Sequence, residues 1–544
     1  MIGSMVIQKH SITDNLIMNF DKFLDYSHVH RYLIYNEKNI LGYFGIMIKL
    51  NLIKKMKRYL GLANLQFWVS FFLITALFNL AFPQGKLKKN SNGHLIMNNQ
   101  NGLDFDISSM PNFCGHEHWG SINSNGGFVP ELNAFRADVV AGAQPQQTVS
   151  IWDIVLDPYL TGWFYSGGLN PNALANAAGF ATLFEWWKSN PQAALDSFKE
   201  FATSSILTGT FQCTALGIEY LYGVNILDFK LKDWQAADSL IGKNYSEIFS
   251  WYETAMKKAH FTELIRPVHP EFYLREQSPE TAKEELSFTH IVLRIDPFMD
   301  MWKADSKRRD DLAKAAGVEP VDATSWKVFI KFYFDLAQKN NTVGIKQLQA
   351  YSRDLGFRFR EDKEVRFRGE LNADEILAFQ DWIVHECSRL ANERNWVHQI
   401  HVGTHNLESS NPLPLASLGD RYPNMNIVML HCWPFFEEAA FLAKNKPNFY
   451  IDSCWVPILS TDFFSQSLDT YLNYVPYSKI LLGHDATTVE MAVGSSIFTR
   501  QILEEKLLEQ KSLLKLHDKE LRKAALDMLQ NNAVSLYGFG TKAE

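Results

Sequence analysis

From about residue 104 onward, short β-rich runs alternate with longer stretches whose apolar positions recur at helical spacing. That alternation implies βαβ units and a parallel sheet. Eight runs read as strands: Asn112–Cys114, leading into His116; Thr262–Ile265; Thr289–Ile295; Val343–Leu348; Val397–Val402; Asn426–His431; Asn448–Asp452; and Lys479–Leu482, leading into Gly483. The last four are nearly continuous apolar runs, the pattern of strands buried on both faces. The fold class expected is α/β, a (β/α)8 TIM barrel.

The helices between these runs carry their own signals. Asn372 with Glu375 forms a capping-box pattern, followed by Ile376, Phe379, Ile383, Cys387 and Leu390 at helical spacing. Pro434 suits the first turn of the helix after strand six. Residues 128–258 are too many for one barrel loop and are aromatic and helical in pattern, so a helical insertion after strand one is expected. There are no internal repeats.

The N-terminal part breaks this pattern. Residues 65–82 carry no charge and follow Lys54, Lys55, Lys57 and Arg58. With Pro83-Gln84-Gly85 behind them, they have the layout of a secretory signal peptide that opens at Met56. An uncleaved membrane tether is the alternative, since ~18 apolar residues approach the minimum for a span. The division expected is an upstream extension (1–55), a signal or anchor (56–85), a polar linker (86–101) and the barrel domain (102–544). The protein would then be exported, periplasmic or secreted, or membrane-anchored; without a working signal it would be cytoplasmic.

Composition narrows the picture. Of 544 residues, 46% are hydrophobic and 21% charged, as in ordinary globular chains. The net charge is −7 and no basic stripe is present, which speaks against nucleic acid as a partner. The five cysteines are scattered and lack CxxC spacing, so neither a disulfide framework nor a structural zinc site is expected.

The candidate chemistry lies at the strand ends. His116 and His118 follow strand one, His401 lies in strand five, His431 ends strand six and Asp485 follows strand eight. In a (β/α)8 barrel these C-terminal ends converge on one pocket. His116 and His118 are two residues apart, so in an extended segment both point to the same side. His116, His118, His401 and Asp485 make a His3Asp set suited to one divalent ion, zinc ahead of manganese. His431 would stand beside it as a proton-transfer group, with Asp485 also serving as a base. Each histidine alone is more often structural than functional; their common placement carries the argument.

At these residues the chain resembles the amidohydrolase superfamily, and most closely its family 2, a branch of metal-dependent TIM-barrel hydrolases with decarboxylase-like members. Gly115-His116-Glu117-His118 is similar to the strand-one HxH motif, Gln399–Gly403 to the strand-five histidine segment, and Leu481–Ala486 to the segment carrying the strand-eight aspartate. Trp152–Tyr159, Val343–Leu355, Leu430–Cys454 and Asn531–Phe539 resemble further segments, the last being the closing helix. The resemblance spans roughly residues 104–540. It implies the same four metal ligands and a catalytic His431. It also draws attention to Lys346 in strand four, which bridges two metals in some branches and serves the substrate in others. Substrate binding by Lys346 and by Arg294, which ends strand three, is the expectation. A buried ion pair is the bland alternative for each. Two departures stand out: His484 replaces the usual small residue before the aspartate, and His405-Asn406 replace a frequent Gly-Asp. Glu117 receives no role, and Trp433 and Trp455 read first as core aromatics.

The leading function is metal-dependent hydrolysis of an amide, ester or lactone. A non-hydrolytic decarboxylase or uronate-isomerase-like reaction on a carboxylated substrate is the second reading, because ligands and fold do not fix the reaction. A non-catalytic barrel scaffold is the third.

Overall fold

The computed structural model describes residues 103–119, 149–274 and 289–539, with the backbone of four two-residue strands at Lys88–Lys89, Leu95–Ile96, Ser121–Ile122 and Phe128–Val129. The upstream extension, the signal or anchor and all of the 86–101 linker except the first two of those short strands fall outside the described residues. Among the described residues no helix is long and apolar enough to cross a membrane.

All eight expected strands are present: β1 (Asn112–Cys114), β2 (Phe261–Val268), β3 (Thr289–Arg294), β4 (Gly344–Gln347), β5 (Val397–Val402), β6 (Asn426–His431), β7 (Phe449–Asp452) and β8 (Ile480–Leu481). They form one parallel sheet in sequential order. β2 runs three residues past its apolar pattern because Arg266 and Pro267 hide the strand, although Arg266 is buried. The ring closes between β8 and β1 just past the strand ends. Asp485 N donates to His116 O at 2.9 Å, and His118 N to Ala486 O at 3.0 Å. The Asn112 amide adds a bond to Leu482 O at 3.2 Å. The curled sheet with its helices is the α/β TIM barrel that the pattern predicts.

Among the described residues, eight helices lie between β1 and β2, from Ile151–Val155 to Ile248–Ala259. Several begin with an Asx-Pro pair: Asp157, Asn170 and Asn190 each cap a helix whose first residue is proline. The side-chain oxygen satisfies an orphan N–H, and proline at N1 lacks the donor that would be wasted there. Their apolar faces share a core built on Trp152, Trp187, Phe198 and Trp234. That lobe grips the barrel where helix Gly209–Tyr222 crosses helix Val489–Leu514. A Cβ on Gly217 would lie 1.7 Å from Glu490 O, and one on Gly494 would lie 1.8 Å from Cys213 O. Only glycine permits backbones this close.

Helix Phe436–Asn445 starts two residues after Pro434, so the proline precedes that helix rather than sitting in its first turn. The chain must first turn out of β6, with His431 and Cys432 both in the left-handed region.

Two apolar layers flank the sheet. The outer one packs strands against helices through Ile345, Phe379, Ile400 and Ile427. The inner one fills the lower barrel with Phe113, Ile265, Val292, Val428, Leu430 and Leu481. It is closed from below by Ala533, Val534 and Tyr537 of the terminal helix Asn532–Tyr537.

Candidate metal centre

Four of the five strand-end residues meet, with three histidines facing the Asp485 carboxylate. His118 Nε2 lies 3.2 Å from Asp485 Oδ1, His116 Nε2 4.0 Å from the same oxygen, and His431 Nε2 3.4 Å from Oδ2. The alternation of an extended segment puts both β1 histidines on one side, their rings 4.9 Å apart.

Neighbouring oxygens set the tautomers. His116 Nδ1 meets Gln399 Oε1 at 2.8 Å, and that amide is oriented because its Nε2 donates to Gly115 O at 2.7 Å. An amide oxygen only accepts, so His116 carries its proton on Nδ1 and presents a bare lone pair at Nε2. That atom is buried and has no hydrogen-bond partner. His431 Nδ1 donates to the Cys454 carbonyl at 2.8 Å, which likewise leaves Nε2 bare and facing Asp485. Buried lone pairs aimed at a carboxylate are costly unless something electrophilic joins them, and histidine ligands are commonly held through the other ring nitrogen in this way. The donor set therefore fits a divalent metal ion.

Burial and the nearby Lys346 push His116 and His118 well below the usual imidazole range, and burial pushes His431 down to about 3. All three are neutral, the form that binds metal. Burial raises the Asp485 carboxyl, opposed by Lys346 and by the Tyr159 hydroxyl, which donates to Oδ1 at 3.1 Å. Strain is concentrated here: Thr404, His431, Cys432, Trp455 and Asp485 all have φ between 55° and 67°. Non-glycine residues persist in that region only where their surroundings over-determine them.

His401 stands beside this group rather than inside it. Its ring is 4.5 Å from that of His431, but its Nε2 is in a 2.7 Å hydrogen bond with Thr404 Oγ1. Among the described residues, the clusters whose ligand atoms lie within 4.8 Å of one another are His116–His118–Asp485 and His431–Cys454–Asp485.

Lys346 is buried at the end of β4, and its ammonium pKa is lowered to about 7, first by burial and then by Arg294. Arg294 is also buried, but Asp296 holds it through Nε at 3.2 Å and Nη2 at 2.7 Å. Its Nη1 lies 3.3 Å from His269 Nε2. The ion pair weighed as its bland role is thus present.

The sequence pattern assigns no role to Gln399, Tyr159 or Glu117, and Trp455 reads first as core. Gln399 shares the inward face of β5 with His401, and period-two alternation alone would have flagged it. Tyr159 reaches Asp485 from the first turn of the helix capped by Asp157, and nothing local announces that. Trp455 lies 5.4 Å from both His405 and His431, ring to ring, so it lines the mouth. Trp433 does not, and stacks on Phe463. Glu117 is fully buried, taking the Cys114 thiol at 2.8 Å and Ala486 N at 2.8 Å, so it ties β1 to the β8 turn. Of the two departures, His484 turns from the pocket to Asn112 Oδ1 at 2.6 Å, while exposed His405 stacks 4.2 Å from Tyr351 over the mouth.

A separate cavity of about 620 Å³ opens on the outside of the barrel, lined by Lys327, Arg360, Asp362, Trp382, His385 and Arg389.

Residues 331–539 match the family model described as Amidohydrolase. A stretch of 116 residues is 34% identical to the protein fluG of Emericella nidulans, but the match covers 19% of this chain and 13% of that protein's length. The fold is that of a glucuronate isomerase from Caulobacter crescentus (TM-score 0.60, 13% identity, 80% of this chain, 93% of the other). A uronate isomerase from Bacillus halodurans C-125 gives TM-score 0.58 at 14% identity, over 80% and 95% of the two chains. A candidate metal-dependent hydrolase from Lactobacillus casei ATCC 334 gives TM-score 0.50 at 16% identity, over 79% and 96%.

Proposed function

We propose that this barrel, whose residues 331–539 are an amidohydrolase segment, is a metal-dependent hydrolase acting on an amide, ester or lactone of a small molecule. The observation that carries the reading is the convergence of His116, His118 and His431 Nε2 on the Asp485 carboxylate, with His116 Nε2 left unpaired. His116, His118 and Asp485 would hold the ion, with His401 as a further ligand once its Thr404 contact gives way. A divalent ion in such a site polarises a substrate oxygen and lowers the pKa of water to ~7.

The chain's own residues supply the rest. Asp485 Oδ2 takes the proton released in the attack, and His431 Nε2, 3.4 Å away, is placed to carry it to the leaving group. Tyr159 OH steadies Oδ1 during that exchange. Trp455, Tyr351 and His405 roof the mouth and restrict water. Zinc is the ion proposed, with manganese as the alternative.

A second reading has its own observation. Lys346 is a buried cation whose field reaches all three of these histidines and Asp485. It would hold a substrate carboxylate, as a decarboxylase or a uronate-isomerase-like enzyme requires. Metal-loaded protein should be assayed with lactones, N-acyl amides and esters beside uronic acids and aromatic carboxylates. Turnover of the first group, abolished by chelation, supports hydrolysis. Turnover of the second group alone replaces it with the carboxylate reading.

A further inference from the structure

We propose that Tyr537 is a positioning residue for the metal centre, acting from the barrel floor through Gln399 on His116; the inference rests on the metal reading above. The closing helix has no part in the mouth. Its π-helical start (Asp527–Asn531) and the turns that follow are stitched to the lower barrel. Asn532 Nδ2 donates to Tyr477 O at 2.7 Å and Ile480 O at 2.8 Å, Asn112 Nδ2 to Leu529 O at 2.9 Å, and Thr262 Oγ1 to Gln530 Oε1 at 2.8 Å. π-bulges often mark functional positions because the extra residue re-aims the side chains after it.

What this helix delivers is one hydroxyl. Tyr537 is almost fully buried among the residues filling the barrel, and its OH accepts from Gln399 Nε2 at 2.8 Å. Gln399 has two amide hydrogens, and both are now taken, by Gly115 O and by Tyr537 OH. With the nitrogen end pinned twice, the oxygen end points to His116 Nδ1 at 2.8 Å and holds the tautomer that bares Nε2. Without the hydroxyl the amide keeps one anchor. It can then turn its NH2 toward His116, which would favour the tautomer that protonates Nε2 and blocks it as a ligand. Phe539 serves as the contrast. It stacks 5.7 Å from Phe113 and 3.7 Å from His290 at the same floor, with no link to Gln399.

The test uses the full chain stripped by chelation and titrated with Co2+ and Zn2+. Affinity is read by competition with a metallochromic dye, and geometry by the visible spectrum of the Co2+ form. Tyr537→Phe is expected to weaken binding about 10-fold and Gln399→Leu up to about 100-fold, each with an altered Co2+ spectrum. Phe539→Leu is expected to lower Tm while affinity and spectrum stay those of the unaltered chain. Wild-type affinity and spectrum in Tyr537→Phe would overturn the proposal. So would an equal loss in Phe539→Leu, which would mean that floor packing, not the hydroxyl, matters. An unaltered chain that takes up no Co2+ is a different result: it removes the metal reading, and this inference goes with it.

Discussion

Two polar clusters in this molecule are built from the same residue types and behave in opposite ways. Along helix Ala373–Glu393, at and next to the outer cavity, Asp381 receives Arg353 at 2.8 Å and Arg360 at 3.1 Å. Lys327 pairs with Asp362 at 2.6 Å, and His385 has both ring nitrogens engaged, by Tyr422 OH and Phe357 O. In the barrel mouth His116 Nε2 is orphaned, and the buried Lys346 ammonium feels Asp485 only through space. An unsatisfied buried polar atom costs about 1–3 kcal/mol, and His116 Nε2 faces the Asp485 carboxylate beside two further histidine nitrogens, an arrangement that a divalent ion would satisfy. A satisfied cluster is scaffold; a cluster with paired groups missing is waiting for something. The cavity, for all its volume, is therefore the poorer candidate for chemistry.

That contrast can be broken by mutation. The largest effect is expected from the double change His116→Ala/His118→Ala: bound metal and turnover are both lost, while the metal-free protein still folds and unfolds cooperatively. Calorimetry of the stripped proteins with a metal assay checks it, and a collapse of the apo fold would make the pair structural. Next comes Asp381→Ala, which leaves Arg353 buried and uncompensated. It should cost about 3–5 kcal/mol in denaturant unfolding with metal affinity unchanged.

Lys346→Met should act in the opposite sense to Asp381→Ala. Removing a buried ammonium that makes no direct hydrogen bond to the described residues raises apo stability by about 1–3 kcal/mol, yet turnover falls. A destabilised Lys346→Met would show that the lysine is an ordinary structural group. The smallest effect belongs to Lys327→Ala, a half-exposed pair worth about 0–1 kcal/mol and invisible to activity.

The strand pattern carried most of the fold because buried parallel strands leave long apolar runs that helices do not imitate, as in Val397–Val402 and Asn426–His431. The far end of β2 is hidden in the sequence because a buried charge, Arg266, and a proline, Pro267, sit inside the strand. The HxH pair, His431 and Asp485 were legible since barrel topology brings strand ends together whatever their separation in the chain. Tyr159 and Tyr537 were not, since each reaches the site from a helix whose docking is a tertiary event. The arginine at the end of β3 was legible as a cation but not as the partner of Asp296, two residues on. His401 and His405 show the limit of spacing arguments: both lie at the mouth, but Thr404 stands between their ring nitrogens, and only coordinates reveal it.

The most direct test is elemental analysis of the full chain, as purified and after reconstitution with zinc or manganese, beside the His116→Ala/His118→Ala variant. The account predicts about one divalent ion per chain in the unaltered protein, in line with a three-ligand catalytic site, and none in the variant. Folded, reconstituted protein that holds no metal, or a variant that holds as much as its parent, would contradict it.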